Sequence, residues 1–125
     1  MKRILLVDDD ELTRRAVHKM LERSGYQVRS TSDGQEALGL YQTDPTDLVI
    51  TDLIMPDTDG LEMIQHLRRM DAAVRILAIS GGGRVDEEEY LTVARKFGAI
   101  GVLSKPFTGQ ELSRAVEAAL GNTVP

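Results

Sequence analysis

Asp8 and Asp9 follow the apolar run Ile4-Leu5-Leu6-Val7, and Asp52 follows Leu48-Val49-Ile50-Thr51. Ser80 follows Ile76-Leu77-Ala78-Ile79, and Lys105 follows Ile100-Gly101-Val102-Leu103-Ser104. Short apolar runs separated by helical stretches read as buried parallel strands. Whatever lies just beyond the carboxyl ends of such strands lines the ligand crevice of an open α/β sheet. Three carboxylates, a hydroxyl and an ammonium are therefore expected to converge. Two carboxylates about 4 Å apart repel by about 4 kcal/mol at an effective dielectric of about 20. Three together need a cation, or one of them keeps its proton. Oxygen-only donors with room for water select Mg²⁺ or Mn²⁺ over zinc. The sequence has no cysteine, and its two histidines, His18 and His66, read as exposed helix residues. The set suits a divalent cation and a phosphoryl group.

Each residue also has a plainer reading. Acids after a strand can simply cap the next helix, and Asp10 or Glu11 does only that. Asp52 is different, because the following helix starts only near Gly60 and needs no cap there. Lysine at a strand end is usually a surface residue, yet Lys105 follows a run that should be buried, which aims its charge into the crevice. Ser80 alone is weak evidence, since serine often opens a turn. Beside Asp52 and Lys105 it becomes a donor to a phosphoryl oxygen. Gly81-Gly82-Gly83 lacks the lysine and hydroxyl pattern of a P-loop and reads as a loop before the fourth helix.

The strand-like runs fall at roughly 3–7, 26–30, 47–51, 75–79 and 100–104, with helical periodicity between them. In the first helix Leu12, Ala16, Val17, Met20 and Leu21 form the expected apolar stripe, leaving Arg14, Arg15, His18, Lys19 and Arg23 outward. Ser24-Gly25 ends it. Ser32-Asp33-Gly34-Gln35 and Thr108-Gly109-Gln110-Glu111 have capping-box spacing for the second and last helices. Asp59-Gly60-Leu61-Glu62 resembles a start for the third, with Ile64, Leu67 and Met70 inward. Asp86-Glu87-Glu88-Glu89 suits the start of a fourth, striped by Leu91, Ala94 and Phe97. Five strand–helix alternations with right-handed crossovers give an α/β fold, a doubly wound five-stranded parallel sheet with helices on both faces, (βα)5.

At 125 residues the chain is one domain, read as 1–121 with a short tail at 122–125. Twenty acidic against fifteen basic residues, a net charge of −5, argue against direct nucleic-acid binding. Met1-Lys2-Arg3, four apolar residues and then Asp8-Asp9-Asp10-Glu11 are too short for a signal peptide. No stretch approaches a membrane span. The expectation is a cytoplasmic location without membrane contact.

With these residues in hand, the chain resembles the receiver domains of two-component response regulators over essentially its whole length. The resemblance rests on Ile4-Leu5-Leu6-Val7-Asp8-Asp9, on Thr51-Asp52-Leu53-Ile54-Met55-Pro56-Asp57-Thr58-Asp59-Gly60, on Ser80 and on Lys105-Pro106-Phe107. It implies a flavodoxin-like sheet of order 2-1-3-4-5 and a cis bond before Pro106. It implies that Asp52 is the phosphoacceptor, and that Asp8, Asp9, Asp52 and the backbone carbonyl of Ile54 hold Mg²⁺. Ser80 and Lys105 take the parts of the family's switch hydroxyl and lysine. The implied partners are a sensor histidine kinase or histidine phosphotransfer protein and an output protein the residues do not name. The domain is then a catalyst of its own phosphorylation and dephosphorylation, a monomer or a weak phosphorylation-dependent dimer. With the last helix close to the C-terminus, a stand-alone regulator is expected.

One position departs from the family. Many members carry an aromatic residue three positions before the lysine, and here Val102 stands there. A haloacid-dehalogenase-type phosphatase would leave Asp52 and Lys105 unexplained, and an FMN carrier would not place acids in its first phosphate-binding turn. A degenerate receiver that binds partners without phosphorylation is the remaining alternative; intact acids, hydroxyl and lysine argue against it.

Overall fold

The computed structural model describes residues 1–55, 58–80, 92 and 94–121, and of residues 54, 55 and 58–60 the backbone alone. In chain order its elements are β1 (Arg3–Val7), α1 (Glu11–Arg23), β2 (Gln27–Thr31), α2 (Gly34–Thr43), β3 (Leu48–Asp52), β4 (Ile54–Met55), β5 (Thr58–Asp59), α3 (Gly60–Met70), β6 (Ile76–Ser80), α4 (helical at 94–97), β7 (Gly101–Ser104) and α5 (Gly109–Ala119). Five strands form one parallel sheet in the order β2-β1-β3-β6-β7. Ranked among themselves these are 2-1-3-4-5, as the resemblance implies. The β4–β5 pair is a small antiparallel hairpin that the sequence patterns did not announce.

Successive strand residues point to opposite faces, so each strand feeds two cores. Leu5, Val7 and Val49 join Ala37, Tyr41, Ile64, Leu67 and Ala94 on the face covered by α2, α3 and α4. Ile4, Leu6, Ile50 and Leu77 join Val17, Leu21, Leu112 and Val116 under α1 and α5. Each such fully buried side chain contributes about 1.5–3 kcal/mol. This double burial explains the uninterrupted apolar runs in β1, β3 and β6.

Several local expectations need correction. The strands after β1 start about one residue later than their patterns suggest, so Asp52 and Ser80 are the last strand residues rather than the first beyond them. The ladder continues past them, with Leu53 N–H donating to the Ile79 carbonyl at 3.0 Å and Lys105 N–H to the Ser80 carbonyl at 2.9 Å. Leu12 is 81% exposed, not inward. At about 100° per residue it lies about 140° from Val17 and about 180° from Leu21, the two residues that α1 buries. Ala16 is exposed beside them. Met70 is 40% exposed, because Met63, Ile64 and Leu67 already fill the inward face of α3.

The N-cap of α2 is Asp33, accepting from Gln35 N–H at 2.9 Å, rather than Ser32. Thr108 and Glu111 form the expected reciprocal capping box on α5. Gly25 ends α1 with φ +96°, a conformation that glycine adopts readily. Pro56, Asp57, Gly81-Gly82-Gly83, Asp86-Glu87-Glu88-Glu89, Leu91 and the tail at 122–125 lie outside the described residues. Among the described residues no helix is long and apolar enough to cross a membrane.

Candidate functional site

β1 and β3 are neighbours at the centre of the sheet, so Asp8 and Asp52 leave their carboxyl ends side by side. Asp8 extends the ladder by one step, its N–H donating to the Thr31 carbonyl at 3.1 Å. Its side chain is fully buried, and Oδ1 accepts from Asp10 N–H at 2.9 Å. Asp52 is nearly as buried, whereas Asp9 is exposed. Carboxylate oxygens of Asp8, Asp9 and Asp52 all lie within 4.8 Å of one another.

Lys105 enters from the end of β7. Its Nζ stands 3.0 Å from Asp52 Oδ2 and 3.1 Å from Asp8 Oδ2. The peptide bond from Lys105 to Pro106 is cis. Burial opposes the ammonium, but the hydrogen bond and charge of Asp52, followed by the nearby Asp8 carboxylate, hold its pKa above the ordinary lysine value. Burial raises the Asp8 carboxyl above its ordinary value, although the Asp10 N–H and Lys105 both pull it down.

The Asp8 contact is an ion pair by distance only: Oδ2 is buried and makes no hydrogen bond. A buried carboxylate oxygen without a hydrogen bond is what a cation site would leave. Among the described residues three carboxylates gather around one ammonium, which contacts two of them, so acids outnumber the cation at this spot. All its donors are oxygens, as Mg²⁺ or Mn²⁺ requires. The residues present therefore fit a hard divalent cation. Ile54, whose carbonyl the resemblance adds to the set, starts β4 two residues beyond Asp52.

Ser80 and Ser104 are register partners at the ends of β6 and β7, and their Oγ atoms are 3.3 Å apart. Two contributors escaped the reading of the residues. Arg14, outward by the helical pattern, donates Nη1 to the Asp8 carbonyl at 2.9 Å and so braces the β1–α1 turn. Its signal was its place on the first turn of α1, six residues beyond Asp8, within reach of a guanidinium. Ser104 ends an apolar run, and its place immediately before Lys105 marks it. His18 is also not a plain exposed residue: Nδ1 is 2.9 Å from Ser30 Oγ and Nε2 is 3.4 Å from Glu22. His66 is exposed as expected.

The family model for the response regulator receiver domain matches residues 4–117. The chain is 37% identical over 119 residues to the alkaline phosphatase synthesis transcriptional regulatory protein PhoP of Bacillus subtilis, covering 95% of this chain and 48% of that protein. It is 36% identical over 120 residues to the response regulator receiver protein CpdR of Brucella abortus, covering 96% of this chain and 98% of that protein. The chain thus spans about half the length of PhoP but nearly all of CpdR. Among solved structures, the chemotaxis response regulator CheY4 of Vibrio cholerae superposes with a TM-score of 0.86 at 30% identity, covering 95% of this chain and 98% of that one. This chain belongs to the response regulator receiver domain family, the receiving modules of two-component signalling.

Proposed function

We propose that residues 1–121 accept a phosphoryl group on Asp52 from a phosphohistidine on a histidine kinase or histidine phosphotransfer partner, and that the modified domain switches partner binding. An Asp52 carboxylate oxygen forms the new O–P bond as the N–P bond breaks, its electron pair returning to the leaving imidazole. Charge spreads over the phosphoryl oxygens in such transfers. Lys105, already on Asp52, neutralises part of it, and the Ser80 hydroxyl donates to another oxygen. Asp8, Asp9, Asp52 and the Ile54 carbonyl would hold Mg²⁺, which supplies further neutralisation of phosphoryl charge when bound. The imidazole leaves neutral when its other nitrogen carries a proton, so little proton chemistry falls to this chain's residues, which suits a site without histidine.

The observation that carries this reading is the position of Lys105 Nζ, 3.0 Å from Asp52 within a cluster of three converging carboxylates. The partner's helical bundle would dock on α1. Arg15, Lys19 and Arg23 line its exposed side, and beside it a 430 Å³ groove runs between Ala16 and Met20 on α1 and Pro106 and Phe107 after β7. A cytoplasmic regulator that works as a monomer or weak phosphorylation-dependent dimer completes the reading.

Acetyl phosphate with Mg²⁺ tests it by intact-mass analysis. The wild type gains one phosphoryl group on Asp52, and Asp52→Asn or removal of Mg²⁺ abolishes the gain. Unchanged labelling of Asp52→Asn refutes the assignment.

A further inference from the structure

The hydroxyl pair at the ends of β6 and β7 carries a role for Ser104 that rests on the reading of Asp52 as phosphoacceptor and goes beyond it. Ser80 and Ser104 are register partners, next in line after the Ile79–Leu103 pair and two steps beyond Ala78–Val102. Alternation places Ser80, Ser104, Ala78 and Val102 on one face of the sheet. Ser80 is 4% exposed, and its Oγ donates to Ser104 Oγ at 3.3 Å. The backbone between them is pinned by the Lys105 N–H on the Ser80 carbonyl at 2.9 Å. The freedom at this spot is therefore rotation of the hydroxyls rather than movement of the strands.

A serine hydroxyl has one proton to donate. While Ser80 gives it to Ser104, that proton is not available to an oxyanion carried by Asp52. We propose that Ser104 is a positioning residue that holds the Ser80 proton in the unmodified domain and yields it when Asp52 carries a phosphoryl group. The contact is longer than the usual O–H···O separation of about 2.7–2.8 Å, so it is a weak tether that a charged acceptor outcompetes. Val102 gives the tether its importance. It lies two residues earlier on the same face and is apolar, so it offers Ser80 no polar partner. A restraint on the switch hydroxyl then falls to the neighbouring hydroxyl. Removing the Ser104 hydroxyl strips Ser80 of this acceptor in the unmodified state, which raises that state relative to the anion-bound one.

Beryllofluoride, a tetrahedral anion that adds to a carboxylate, gives a readout independent of turnover. Its affinity for the full chain in Mg²⁺ is measured by fluorine NMR titration. Ser104→Ala is expected to bind it about two- to five-fold more tightly than the wild type, the range of a weak neutral hydrogen bond. Ser104→Thr, which keeps a hydroxyl, restores wild-type affinity. In a Ser80→Ala background Ser104→Ala no longer tightens binding, as a double-mutant cycle on one contact requires. Unchanged or weaker binding by Ser104→Ala overturns the tether, as does an equal gain when Ser80 is absent. A wild type that does not take up beryllofluoride on Asp52 overturns the reading of the site and the tether with it. Wild-type uptake with no effect at Ser104 overturns the tether alone.

Discussion

Lys105 meets Asp52 across the carboxyl edge of the sheet with Nζ 3.0 Å from Oδ2, and the same nitrogen reaches Asp8 Oδ2 at 3.1 Å. One ammonium thus holds together two buried carboxylates from adjacent strands. It occupies the space between them as a fixed internal cation, so in the proposed transfer it would neutralise phosphoryl charge while competing with a divalent ion for the same oxygens. Lys105→Ala separates the two effects. Labelling of Asp52 by acetyl phosphate should slow by about 10²-fold or more, the usual consequence of losing a charge-stabilising donor. Mg²⁺ affinity, followed by calorimetry, should rise in the same variant because its competitor is gone.

Asp8 makes the opposite trade. It is fully buried, its Oδ2 has no hydrogen bond, and burial raises its pKa. A carboxyl whose folded pKa lies above its unfolded value stabilises the fold at low pH and loses that contribution as pH rises through the folded value. At neutral pH the ionised group is therefore a burden on the metal-free protein. Asp8→Asn keeps the Oδ1 acceptor for the Asp10 N–H and removes the charge. It should raise metal-free stability at pH 7 by about 0.5–2 kcal/mol, and the gain should vanish below about pH 4. Added Mg²⁺ should raise the melting temperature of the wild type and leave that of Asp8→Asn unchanged.

A second ionisable pair sits away from the site. Tyr41 in α2 donates its hydroxyl to Asp71 Oδ2 at 2.7 Å, just past the end of α3. Burial, then the hydrogen bond to Asp71, push the phenol well above its ordinary pKa. The Tyr41 hydroxyl, then the Ala73 N–H, hold the Asp71 carboxyl below its own. A depressed carboxyl contributes stability above its unfolded pKa and loses it as pH falls through the folded value; a raised phenol contributes below its unfolded pKa and loses it as pH rises. Tyr41→Phe should melt a few degrees below the wild type between about pH 4 and about pH 10. Outside that window the two melting curves should converge.

What was legible in the residues follows from which forces are local. The apolar runs at Ile4–Val7, Leu48–Thr51 and Ile76–Ile79 stand out because both faces of a central parallel strand are covered, and that brings Asp8, Asp52 and Ser80 to one edge of the sheet, with Lys105 reaching over from the end of edge strand β7. The strand ends were displaced by a residue because polar Asp52 and Ser80 still take part in the backbone ladder, which hydropathy does not register. Leu12 was misplaced because an apolar residue on the first turn of a helix need not share the buried face with Val17 and Leu21. Side-chain partners were the least legible. The contacts of His18 with Ser30 and Ser80 with Ser104 cross between elements, and no spacing along the chain encodes them. The β4–β5 hairpin, two residues to a strand, is shorter than any periodic signal.

The turn from α4 into β7 offers a test of backbone against side chain. Gly98 has φ +107°, and a Cβ built on it would lie 2.2 Å from Arg68 Cδ. Arg68 crosses from α3 and donates Nη1 to the Gly98 carbonyl at 3.4 Å. Two penalties therefore await Gly98→Ala: an overlap with Arg68 and a conformation that L side chains rarely adopt. The overlap is with a flexible, exposed arginine that can swing aside. The backbone is fixed on both sides by the Gly98 N–H on the Ala94 carbonyl at 3.1 Å and the Ile100 N–H on the Ile76 carbonyl at 2.9 Å. The strain should dominate, at about 1–3 kcal/mol. Urea unfolding of Gly98→Ala should show that loss, and adding Arg68→Ala should recover little of it. Full recovery in the double variant would make the overlap, and not the left-handed backbone, the reason glycine occupies this turn.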